Sequence, residues 1–87
     1  MLKLKEGFIL REIGGEIMVI PSGDELDLNM MITLNETGRF LWERLEEGTT
    51  VEGLVSALLA EYEVEEAVAR KSAEAFVEKL NVHNFLI

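Results

Sequence analysis

The chain contains no cysteine, so neither a disulfide framework nor a thiolate metal site can form. It has one histidine, His83, which leaves no second imidazole for structural zinc and no Ser/His/Asp set for nucleophilic catalysis. Its carboxylates have no spacing that reads as a metal site of their own. Basic residues are scarce: 8 Lys and Arg stand against 17 Asp and Glu, a net charge of −9. Acids outnumber bases on both sides of Leu34, so no basic half is hidden in the average. Affinity for nucleic acid comes largely from neutralising phosphates, and a chain of this charge repels them. Apolar runs are too short for a signal-peptide core or a membrane span. Spaced glycines of a nucleotide loop are missing too, since Gly14-Gly15 is a lone pair. These absences lead to the expectation of no metal or other cofactor, no catalysis in isolation, and no nucleic-acid or membrane partner. The lack of cysteine fits a reducing cytoplasm.

What is present suits one small domain over residues 1–87, with 48% hydrophobic and 29% charged residues. That length supports a single core and no deep catalytic cleft. Residues 8–13 and 16–20 are rich in β-branched and aromatic side chains, and Gly14-Gly15 between them signals a two-residue hairpin. Pro21-Ser22-Gly23-Asp24 reads as a second turn. Alternation of Leu26, Leu28, Met30 and Ile32 with Asp27, Asn29, Met31 and Thr33 predicts a third strand over 26–33.

At Asn35 the period changes from strand to helix. Asn35 is a preferred N-cap, and Glu36 lies at the positive end of the helix that follows. Helix one is predicted from Glu36 to Leu45, with Leu34, Gly38, Leu41, Trp42 and Leu45 on its buried stripe, and Gly48 ends it. Thr49 and Glu52 have capping-box spacing for helix two, whose stripe comprises Val51, Leu54, Val55, Leu58, Leu59 and Tyr62. Helix three is predicted from Glu65 to Leu80, buried through Ala69, Ala73, Phe76, Val77 and Leu80. The apolar tail Phe85-Leu86-Ile87 is expected to fold back onto the core. The fold class is α+β: a winged-helix-like arrangement of a three-stranded antiparallel β meander followed by three α-helices.

Two places offer side chains to a partner. Met31 falls on the polar face of strand three, where a pliable apolar side chain suits a variable ligand. Beside the core stripe of helix three run Val68, Ser72, Ala75 and Lys79, mostly short, so that another backbone could approach. Packing against helix one would explain that stripe equally well. Capping accounts for Asn35 and Glu36, and Trp42 belongs to the core.

Several segments in order resemble the PqqD-like family, small peptide-binding proteins also called RiPP recognition elements. They are R-x-I-G-G-E at Arg11–Glu16, V-I-P at Val19–Pro21, L-N-E-T-G at Leu34–Gly38 with Trp42, T-V-E-G-L-V at Thr50–Val55, and F-L-I at Phe85–Ile87. One departure is Asn84, which precedes Phe85 where the family commonly has a glycine just before its final L-I. The resemblance implies that the leader segment of a ribosomally made precursor peptide adds as a strand beside strand three, against helix three. It is then presented to a modifying enzyme, often a radical S-adenosylmethionine enzyme. By position, the peptide-binding residues would be Asp27, Asn29, Met31 and Thr33 on the edge and Val68, Ser72, Ala75 and Lys79 on the helix. The physics is β-augmentation of an exposed edge. The alternative is a winged-helix DNA-binding transcriptional regulator, which calls for a basic recognition helix that this chain lacks. A third option is self-association through the strand edge.

Overall fold

Gly14 and Gly15 take φ of 58° and 85°, the left-handed pair that a two-residue hairpin turn demands. They join β1 (Phe8–Ile13) to β2 (Glu16–Pro21). The computed structural model describes residues 1–21 and 31–87. Beyond the undescribed residues 22–30, β3 (Ile32–Leu34) pairs antiparallel with β2. Among the described residues the sheet order is β1-β2-β3, which leaves β3 at an edge. Val19 faces Ile32 and Ile17 faces Leu34 across the ladder, and all four are buried, so the expected alternation sets the register. Among the described residues the third strand begins at Ile32, not before, and continues one residue past Thr33 to meet the cap. The part expected over 26–30, and the Ser22–Asp24 part of the second turn, lie outside the described residues.

Asn35 accepts a hydrogen bond from the Gly38 N–H at 2.7 Å and opens α1 (Glu36–Glu47), which runs two residues further than expected. Gly48, at φ 85°, closes it. α2 (Val51–Glu61) is capped by Thr50, whose hydroxyl accepts from the Gly53 N–H at 3.0 Å. The expected cap, Thr49, is engaged elsewhere: its backbone exchanges hydrogen bonds with Leu2 at 2.5 and 3.1 Å. Thr49 and Thr50 are adjacent hydroxyls, and this N-terminal bridge decides between them. α3 (Glu66–Val82) starts after Glu65 without a side-chain cap.

The core forms between the inner face of the sheet and the helices. Leu41, Trp42 and Leu45 of α1, Leu54, Val55 and Leu58 of α2, and Ala69, Ala73, Phe76 and Leu80 of α3 are buried. Leu59 and Tyr62, expected on the buried stripe of α2, are 40% and 36% exposed. Tyr62 lies past the last helical turn with an extended backbone, so the helical period no longer places it. It stands edge-on to Phe40 instead.

The tail folds back as expected through Phe85 and Leu86. Phe85 is fully buried, its ring edge-on to Phe8 at 4.5 Å and to Trp42 at 5.7 Å between centroids. Ile87 remains exposed, although its N–H donates to the Lys3 carbonyl. The reversal that brings Phe85 inward passes through Asn84 at φ 65°. Asparagine is among the residues that enter this region most readily, so the turn forms without glycine.

Candidate functional site

The junction of β3, α1 and α3 encloses a cavity of about 610 Å³ open to the surface. One wall is Thr33 and Leu34 of the sheet edge. The floor is the start of α1, with Asn35, Thr37, Gly38 and Leu41, and the opposite wall is Ser72, Ala75, Phe76 and Lys79 of α3. The position follows from local rules. Ile32 and Leu34 must face the core, which turns Thr33 outward. The Asn35 cap then reverses the chain, so that α1 begins beside the strand it has just left. On α3, Ala69, Ala73 and Leu80 face the core, which turns Ser72, Ala75 and Lys79 toward the strand. Gly38 keeps the floor low, because an added Cβ would lie 3.3 Å from Leu34 Cβ and 3.4 Å from the Phe76 ring.

Lys79 Nζ reaches across the groove and donates to the Thr33 carbonyl at 3.4 Å. In an antiparallel ladder, the N–H and C=O of one residue point together, either toward the paired strand or away from it. The Thr33 carbonyl meets Lys79 and not β2, so the Thr33 N–H also faces the groove. The edge thus offers one donor and one acceptor to an incoming backbone.

Of the residues expected to bind a peptide, Thr33, Ser72, Ala75 and Lys79 come together here. Met31 is half-buried just ahead of β3 and does not line the cavity. Val68 is 52% exposed on α3, one turn before Ser72 and outside the lining. Asp27 and Asn29 lie outside the described residues. In the sequence, Asn35 reads as a cap, Gly38 and Leu41 read as core, and Thr37 stands out only as part of the polar cluster Asn35-Glu36-Thr37, which capping explains. The structure adds that these residues also form the groove floor. The available signal was Gly38 itself, a glycine within a first helical turn where a larger residue favours the helix.

A second cavity, of about 500 Å³, lies at the β1 side between the N-terminal segment and α1 and contains none of the expected site residues. No three His, Asp or Glu among the described residues gather as a metal site would require. Among the described residues no helix is long and apolar enough to cross a membrane.

The marked electrostatic pair is outside the groove. Arg70 of α3 holds Glu52 of α2 through two hydrogen bonds of 2.5 and 2.9 Å, with Glu66 at 3.6 Å. The hydrogen bonds and charge of Arg70 hold the Glu52 carboxyl below its ordinary value, and Glu52 raises Arg70 in return. One of the three cations of α3 is therefore already neutralised, and Glu66, Glu74 and Glu78 offset the rest. That is the reverse of a DNA-recognition helix.

No curated protein sequence matches this chain. Among solved structures, TbiB1 in complex with the TbiA(beta) leader peptide is similar to it at 24% identity, over 97% of this chain and 93% of that one, with a TM-score of 0.75. Lasso peptide synthetase B1 complexed with the leader peptide is 20% identical, over 99% and 96%, with a TM-score of 0.76. Both likenesses establish a common fold along nearly the full length of each chain. The family model for Coenzyme PQQ synthesis protein D (PqqD) matches residues 6–86, from just before β1 to the tail that packs against it. With that span matched and the β meander, three helices and tail all in place, the chain belongs to the PqqD family.

Proposed function

We propose that this protein captures the leader segment of a ribosomally made precursor peptide and presents it to a modifying enzyme, without catalysing a reaction itself. The observation that carries the reading is the groove between the free edge of β3 and α3, with the Thr33 backbone turned into it. An extended segment laid there would add to the sheet as a fourth strand. Main-chain hydrogen bonds would supply affinity that tolerates sequence variation, and side chains directed at Ala75, Phe76 and Leu41 would supply preference. Family membership supports this reading, as do the leader peptides named in both similar structures. The partner enzyme is proposed to be of the radical S-adenosylmethionine type, and the setting cytoplasmic.

The test is a search of the neighbouring genes for a short precursor peptide, followed by a calorimetric titration of the full chain with the two halves of that peptide. Saturable binding of the leader half and none of the core half is expected. Equal binding of both halves, or of neither, would remove the basis for the proposal.

A further inference from the structure

The Thr33 carbonyl is the acceptor that an added strand needs, and in the free protein the Lys79 ammonium is already on it. No carboxylate among the described residues lies within ion-pair distance of Lys79, although Glu74 and Glu78 share its helix. Among the described residues, Lys79 is also the single charged side chain in the groove lining, and no acid joins it there. The floor adds the amino-terminal end of α1, whose dipole favours negative charge. Among the described residues the groove lining thus carries one positive charge and no negative one, in a chain whose net charge is −9.

Resting on the groove reading above, we propose that Lys79 is a placeholder and specificity residue. It satisfies the Thr33 carbonyl until a peptide backbone replaces it, then swings onto a carboxylate carried by that peptide. The ligand class is thereby narrowed to extended segments with an Asp or Glu side chain directed at α3 where the peptide passes Thr33. Lys79 is exposed, so a displaced ammonium returns to water: an acidic segment gains an ion pair, a neutral one gains none, and a basic one is repelled.

The experiment selects binders from a displayed library of random ten-residue peptides against the full chain and against Lys79→Met and Lys79→Glu. Hydrogen exchange at the Thr33 amide reports whether each selected peptide occupies the edge. Enrichment of Asp or Glu at one fixed position is expected with the wild-type chain. That enrichment should be lost with Lys79→Met and replaced by Lys or Arg with Lys79→Glu. For a selected acidic peptide, changing its acid to the amide should weaken wild-type binding about fivefold, the upper end for an exposed pair. The amide form should bind Lys79→Met at least as tightly as it binds the wild type, because the placeholder is gone, an outcome that simple loss of packing would not produce. Peptides that protect Thr33 but show no acid preference, or keep it in Lys79→Met, overturn this inference alone. A library yielding no peptide that protects Thr33 overturns both it and the groove reading.

Discussion

Ala75 carries the sharpest test at the scale of single residues, because it lines the groove yet is exposed in the free protein. A tryptophan there has open space to enter, unlike one forced into a packed core, where overpacking costs about 1–3 kcal/mol. Ala75→Trp is therefore expected to melt near the wild-type temperature and to bind leader peptide at least about tenfold more weakly, roughly 1.4 kcal/mol. Thermal melts and a binding titration on the same preparation check both halves. Asn84 tests the tail. Its φ of 65° would be strained with a β-branched side chain, so Asn84→Val should cost about 1–2 kcal/mol in denaturant unfolding, while Asn84→Gly should cost nothing. Ser72, Ala75 and Lys79 were legible from a helical wheel. Their neighbour Val68 was not separable from them, because the same wheel extends past the point where the groove ends. Thr37 and Gly38 were hidden by their other work: one residue of a capped turn and one of a core stripe both face a cavity that only tertiary packing creates.

Among the elements, β3 is the one the proposed ligand pairs with. Its groove-facing amide at Thr33 takes no part in pairing with β2, and proline is tolerated on an edge strand where the N–H points away from the ladder. Thr33→Pro is thus expected to fold, with far-ultraviolet circular dichroism unchanged, and to lose leader-peptide binding. Met31→Pro should behave in the same way if the edge donor row extends to that residue. Unfolding of Thr33→Pro would mean that the amide belongs to the β2 ladder. The sequence located the carboxyl end of this strand closely, because Asn35 marks the change from a period of two to a helical period. The two hairpin strands were equally legible, since Gly14 and Gly15 punctuate them. The α2 cap was misplaced by one residue, for a reason outside local sequence: the bridge between Leu2 and Thr49 joins segments far apart in the chain. Leu59 and Tyr62 look like core by spacing, but Leu59 is 40% exposed in the last turn of α2 and Tyr62 lies past its end.

For the molecule as a whole, acidity and one inter-helix pair set the response to conditions. With a net charge of −9, the chain should give no gel shift with duplex DNA at physiological salt. Glu52 is held below its ordinary value by Arg70, so the stabilising effect of the pair is present at neutral pH and disappears as pH falls through the folded-state value. Glu52→Gln should accordingly lower the melting temperature at neutral pH, and its difference from wild type should close in acid. The effect will be modest, because both side chains face solvent. On the proposal above, a peptide completes the sheet at β3. Hydrogen exchange of the Thr33 amide, followed with and without saturating leader peptide, tests that most directly. Fast exchange in the free chain and strong protection in the complex is the result expected. A saturated complex in which Thr33 exchanges as before, with protection appearing instead along β1, would contradict it.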